Sequence, residues 1–70
     1  MMTEQDFIAA VEATGATDVW TMAKPTDHGA TVGVSFLRNG TVHRNAVTMP
    51  LSCKDEDAFP ALLDWVKNPL

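Results

Sequence analysis

Asn39-Gly40 is the feature of this sequence that most constrains its fold. Stretches of alternating apolar and polar residues flank the dipeptide, and both of its residues tolerate the positive φ angles that a two-residue type I′ turn requires. The dipeptide therefore predicts a tight β-hairpin, with one strand over residues 30–38 and the next from 41 to about 49. A two-residue loop makes Arg38 face Thr41, which fixes the register of the whole hairpin.

This register sorts the hairpin residues into two faces. On one face Val32 pairs with Val47 and Phe36 pairs with His43, so that face is apolar at one end and mixed near the turn. The other face is made mostly of small or weakly polar side chains. It carries Thr31, Gly33, Ser35, Leu37, Val42, Arg44 and Ala46.

A further strand is predicted over residues 17–24, which are rich in β-forming residues and are followed by a polar turn over 25–29. Trp20 and Met22 share one face of this strand. Because they are its bulkiest side chains, we expect them to face the core. The opposite face would then carry Val19, Thr21 and Ala23.

Helices are expected at both ends of the chain. Thr3 followed by Asp6 resembles a capping box, and Gly15 fits the left-handed position that ends a helix. At the other end, Pro60 is harmless only within the first turn of a helix, so we expect the second helix to begin with Asp57 as its N-cap. Its apolar stripe consists of Phe59, Leu62, Leu63 and Val66.

The predicted fold is therefore α+β, with the order α-β-β-β-α. The strands form a three-stranded antiparallel meander, and two helices pack on one face of the sheet. With 70 residues, the chain has room for one small globular domain, residues 1–70, with one core. The helices are expected to cover Trp20, Met22, Val32, Val34, Phe36, Val47 and Met49.

Charge and hydropathy exclude several classes of partner. The formal net charge is −4 and the basic residues are scattered along the chain, so direct nucleic-acid binding is not expected. The longest apolar stretch, residues 7–11, is far shorter than the ~20 residues of a membrane-spanning helix. Glu4 and Asp6 stand where a secretory signal would carry basic residues, and we expect a soluble, cytoplasmic protein that does not bind membranes.

Residues with catalytic or metal-binding chemistry are few. Cys53 is the only cysteine, which excludes an internal disulfide and a multi-cysteine zinc site. Neither His28 nor His43 has a spacing that would bring it to Cys53 or to the other histidine, and the acids at 55–57 are explained by a helix dipole. We therefore expect no enzyme activity, no metal and no cofactor.

The absence of chemistry and the character of the bare sheet face favour a protein-interaction module that binds a protein partner or a second copy of itself. One alternative is a small acidic inhibitor of a nucleic-acid-handling protein, of the phage-like type that mobile elements encode. Another is a thiol-dependent enzyme or enzyme subunit that uses Cys53. The residues expected to bind a partner are Thr21, Thr31, Gly33, Ser35, Leu37, Val42, Arg44, Ala46 and Trp65.

Overall fold

The structure of the protein, a computed structural model, describes residues 2–68. Its helices and strands follow the predicted α-β-β-β-α order, so the α+β fold class is confirmed. A short 3₁₀ helix, which the sequence did not predict, precedes the last helix. The elements are α1 (Glu4–Glu12), β1 (Thr17–Thr26), β2 (Gly29–Arg38), β3 (Thr41–Pro50), the 3₁₀ helix (Asp55–Ala58) and α2 (Phe59–Lys67).

The three strands form an antiparallel sheet in the order β1-β2-β3. The hairpin between β2 and β3 has the predicted register, with Arg38 opposite Thr41 at the turn. Asn39 and Gly40 have φ angles of 54° and 77°, as a type I′ turn requires. The faces predicted for these two strands are therefore correct.

The face predicted for β1 is wrong. The strand continues through Pro25 to Thr26, which pairs with Gly29, so only two residues form the turn to β2. This short turn places Trp20 and Met22 opposite the β2 residues that point away from the helices. The bulk of the side chains did not predict the buried face, because the register of the first hairpin determines which β1 residues point toward the helices.

A β-bulge interrupts the beginning of β1. The register shifts between Thr17 and Trp20, and Asp18 within the bulge has a φ angle of 51°. The extra residue exchanges the faces of the strand at this point. As a result Ala16, which precedes the bulge, is buried on the helix side of the sheet, where Val19 also packs against the core.

The core lies between the two helices and the inner face of the sheet. Phe7 of α1 stacks on Phe59 of α2, with ring centroids 4.7 Å apart and an interplanar angle of 13°. The predicted core positions on β2 are buried, and Val47 and Met49 are partly buried against them. The fully enclosed apolar residues are Phe7, Val11, Ala16, Val32, Val34, Phe36, Ala58, Phe59, Leu62 and Val66.

The predicted capping box at the start of α1 is present. The Asp6 backbone N–H donates to Thr3 Oγ1 over 3.1 Å, and the Thr3 backbone N–H donates to Asp6 Oδ2 over 3.1 Å. The hydrogen bond from the Thr3 backbone, and secondly the one with its hydroxyl, hold the pKa of Asp6 below its ordinary value. Gly15 has a φ angle of 94° in the turn that follows the helix.

The start of the second helix differs from the prediction. Asp57 is not the N-cap of an α-helix; its carboxylate accepts the Lys54 backbone N–H over 2.9 Å and closes the 3₁₀ helix. The α-helix begins two residues later, at Phe59. Pro60 is then its second residue, where the missing N–H costs no helical hydrogen bond.

Candidate functional site

The candidate site is the sheet face that the described residues, 2–68, leave uncovered, which we call the open face. Strand pairing places its side chains in rows, each with one residue from β1, one from β2 and one from β3. One row is Trp20, Ser35 and Arg44, and the next is Met22, Gly33 and Ala46. The open face comprises Thr17, Trp20, Met22, Lys24, Thr31, Gly33, Ser35, Leu37, Val42, Arg44, Ala46 and Thr48.

Large apolar side chains of the open face are exposed. Trp20 is 71% exposed, Val42 60% and Met22 48%. A small domain usually buries its tryptophans, because they are the largest contribution available to its core. A cluster of exposed apolar side chains on one surface is typical of an interaction site, whereas scattered ones are ordinary.

Two adjoining hollows lie in the open face, one of about 520 Å³ and one of about 220 Å³. Trp20 and Ser35 border both of them. The larger hollow lies over the middle of β2 between Met22 and Arg44, and the smaller one reaches Leu37 and Val42. Together they give the face a shallow groove that can receive side chains of a partner.

Gly33 forms the floor of the larger hollow. A Cβ atom at this position would stand 3.2 Å from the Met22 sulfur, 3.3 Å from Ala46 Cβ and 3.1 Å from the backbone oxygen of Asn45. A glycine in the middle of a strand weakens a sheet unless another group comes close. Here the side chain of Met22, from the neighbouring strand, is that group.

The charges of the protein are divided between its two sides. Lys24 and Arg44 stand on the open face, and Asp18 is the one carboxylate among residues 2–68 that borders its hollows. The other side of the molecule is net acidic. It also holds Arg38, Lys54 and Lys67, but seven of the nine carboxylates belong to the helices. These are Glu4, Asp6, Glu12, Asp55, Glu56, Asp57 and Asp64.

The structure brings together most of the residues expected to bind a partner, but not all of them. Thr21 lies on the helix side of the sheet, where its hydroxyl donates to Glu4 Oε2 over 2.9 Å. Trp65 also lies on that side and packs edge-on against Phe36, with centroids 5.8 Å apart. The expected residues that share the open face are Thr31, Gly33, Ser35, Leu37, Val42, Arg44 and Ala46.

Sequence reasoning missed Trp20, Met22 and Lys24 as members of the open face. No residue pattern in the loop between the first two strands specifies its length, so the sequence left the parity of β1 open. A two-residue turn at 27–28 would have fixed the parity of β1 in the same way that Asn39-Gly40 fixed that of β3. The sequence predicts that the turn begins at Pro25, but Pro25 is part of the strand.

The residues considered for chemistry are separated in the structure. Cys53 is half-buried in the turn after β3, where its backbone N–H donates to the Pro50 carbonyl over 3.0 Å. His28 is exposed in the first hairpin turn, and the His43 ring stacks on Phe36 with centroids 5.2 Å apart. Within residues 2–68, no group of three histidine, cysteine or acidic side chains is placed to hold a metal ion.

None of the helices described for residues 2–68 is both long and apolar enough to cross a bilayer. Comparison of the chain with protein-family models, with curated proteins and with solved structures found no match.

Proposed function

We propose that this chain is a non-catalytic interaction module that binds a protein partner, or a second copy of itself, through the open face. The observation that carries the proposal is the exposure of Trp20 beside Met22 and Val42 on one surface. Exposed tryptophan and arginine side chains are typical of the residues that dominate binding energy in interfaces. Trp20 and Arg44 occupy the same row of the sheet.

The domain can fold without a partner. The core is closed by the helices on the opposite side of the sheet, and Trp20 contributes little to it. Replacement of an open-face side chain should therefore change binding without unfolding the domain. This separation makes the site testable by substitution.

The test is capture of partners from the native host with tagged protein, followed by identification of the captured proteins by mass spectrometry. Trp20→Ser should abolish capture of any partner that wild type enriches. Leu51→Ser is the matched control, because Leu51 is 76% exposed but lies beyond the sheet. Equal capture by wild type and Trp20→Ser, with both folded by circular dichroism, would refute a role for the open face.

A second candidate function places the contact on the helix side. The concentration of carboxylates on the helices favours an acidic inhibitor that occupies the basic surface of a nucleic-acid-handling protein. Asp55→Lys and Asp64→Lys should then weaken binding, while Asp27→Lys in the first hairpin turn should not. Such binding must also fall steeply as salt rises, because exposed charges are screened beyond about 10 Å at 0.1 M salt.

Neither function requires the thiol of Cys53. Cys53→Ser should leave binding unchanged, and alkylation of the protein should be slow at neutral pH. Rapid alkylation together with a loss of activity in Cys53→Ser would favour the thiol-dependent enzyme instead.

A further inference from the structure

We infer that the open face binds an acidic amphipathic helix of another protein rather than a second copy of this chain. The inference rests on the proposed function and narrows it to one class of partner. The shape, charge and size of the open face support an acidic helix as its partner, and so do the backbone irregularities of the two outer strands.

The shape of the open face fits one helix lying along β2. The middle strand contributes only small side chains at the centre of the face, Ser35 and Gly33, while Trp20 and Arg44 stand on the strands to either side. Two strand spacings separate these outer columns by about 10 Å. An α-helix with its side chains is about 10–12 Å wide, so one helix over β2 touches Trp20 with one flank and Arg44 with the other.

The side chains on the β1 and β3 flanks of the open face determine which residues of a bound helix would match them. The flank over β1 meets the exposed apolar side chains of Trp20 and Met22, and the flank over β3 meets the exposed Arg44 guanidinium between Val42 and Ala46. Lys24 adds a second cation on β1, at the far end of the face, and Asp18 is at its border. The matching helix has an apolar stripe bordered by Asp or Glu, because opposite charges steer and align partners while like charges reject them.

The footprint of the open face suits a single helix. Three strands of ten residues span about 33 Å by 14 Å, and one helix, about 10–12 Å wide, can cover that width along β2. A two-fold dimer would bring the cations of one open face close to those of the other, whereas one helix can bring the opposite charge.

The sheet edges argue against strand addition as the binding mode. The β1 edge is interrupted by the bulge at Asp18 and by Pro25. On the β3 edge, alternation along the hairpin directs the Ala46 N–H away from β2, and Asn45 Oδ1 accepts that N–H over 2.9 Å. The β1 edge is thus irregular and the β3 edge has one outward N–H already occupied, which favours binding through the side chains of the face.

The experiment is selection from a displayed library of short helical peptides with randomised surface positions, using immobilised wild type, Arg44→Glu and Trp20→Ser. Peptides recovered on wild type should combine an apolar stripe with Asp or Glu on one flank. Their affinity should fall about tenfold or more for Arg44→Glu, which should itself recover peptides with Lys or Arg on that flank. Lys67→Glu, at an exposed residue of α2 on the other side of the molecule, makes the same change of charge and is the control, because it should leave peptide binding unchanged.

The outcomes separate the inference from the proposed function. If Trp20→Ser loses the peptides but Arg44→Glu binds them as wild type does, the open face is an interaction site and its acidic partner is refuted. If neither substitution matters, both proposals fail. Two results would also overturn the inference: a dimer in analytical ultracentrifugation that Trp20→Ser dissociates, or binding of single-stranded oligonucleotides that the same variant loses.

Discussion

The sulfur of Met22 lies over Gly33, 3.2 Å from the point where a Cβ atom of that residue would stand. The contact explains how a glycine is accommodated in the middle of a central strand, since the neighbouring strand supplies the side chain that β2 lacks. It also holds Met22 against the sheet at 48% exposure, where it forms one wall of the groove. The position of Met22, one wall of the groove, therefore depends on the absence of a side chain at Gly33, its floor.

Gly33→Ala should displace Met22 and leave the fold intact. Alanine loses less conformational entropy than glycine in a strand, and this gain offsets the crowding against Asn45 and Met22, so stability should change by less than about 1 kcal/mol. The displaced thioether should become more accessible to peroxide. Met22 oxidation, followed by mass spectrometry, should be faster in Gly33→Ala than in wild type.

Met49 provides an internal control for this measurement, because it lies on the inner face and packs against the core. Its oxidation rate should be the same in both proteins. Unchanged oxidation of Met22 would show that its sulfur does not rest on Gly33 in solution.

Gly29→Ala should be strongly destabilising. A Cβ atom at Gly29 would stand 1.7 Å from the Met49 carbonyl oxygen, and the residue has a φ angle of 155°. Because the obstacle is backbone, the first residue of β2 would have to leave the sheet, at a cost of about 2–3 kcal/mol. For a domain of this size the melting temperature should fall by at least about 10 °C.

Gly40→Ala is the comparison for this variant. Its φ angle is 77° but no atom lies within 4 Å of a Cβ placed there, so only the left-handed backbone is strained, at a cost of about 1 kcal/mol. Thermal unfolding of both variants by circular dichroism should rank Gly29→Ala below Gly40→Ala. The reverse order would contradict the close approach of β2 and β3 at Met49.

Acid should weaken the start of α1 through Asp6. Its pKa is lowered in the folded protein, so its stabilising effect is complete above the unfolded value, near 3.8, and disappears as the pH falls through the lower folded value. The amide resonances of residues 3–6 should therefore shift together as the carboxylate titrates below its ordinary range. Asp6→Asn should abolish this transition.

Thr3→Ala removes the other half of the capping box. The Asp6 N–H then loses its acceptor, and the domain should lose about 1 kcal/mol at neutral pH, measured by urea unfolding. Thr3→Ser keeps the acceptor and should behave as wild type does. If the pKa of Asp6 is unchanged in Thr3→Ala, the Thr3 hydroxyl does not contribute to lowering it, and the Thr3 backbone N–H, which alanine retains, is the cause.

Local sequence patterns predicted the fold correctly where a pattern specifies both a type of structure and its backbone geometry. Asn39-Gly40 specifies both a turn and its length, so the register and faces of β2 and β3 could be deduced from it. The capping box at Thr3 and Asp6 could be read for the same reason. The α-β-β-β-α order follows from these signals together with the apolar stripe of α2.

The predictions for β1 and for the start of the second helix were wrong because the sequence patterns there do not specify a backbone geometry. Nothing in the residues of the first turn specified its length, and without the length, the choice of which face of β1 is buried rested on side-chain size. Bulk favoured Trp20, but the core on that side is filled by the helices and by smaller side chains such as Val19. Asp57 likewise has the chemistry of a helix N-cap, yet it closes a 3₁₀ helix one turn earlier.

The stacking of Phe7 on Phe59 has a consequence for how the chain folds. The three strands are joined by two-residue turns, so the sheet can form through contacts between sequence neighbours. The two phenylalanines lie near opposite ends of the chain, and their contact must close a long loop. We therefore expect a late step in which the helices arrive on a sheet already made, and during protein synthesis the apolar face of β2 stays exposed to aggregation until α2 has emerged from the ribosome.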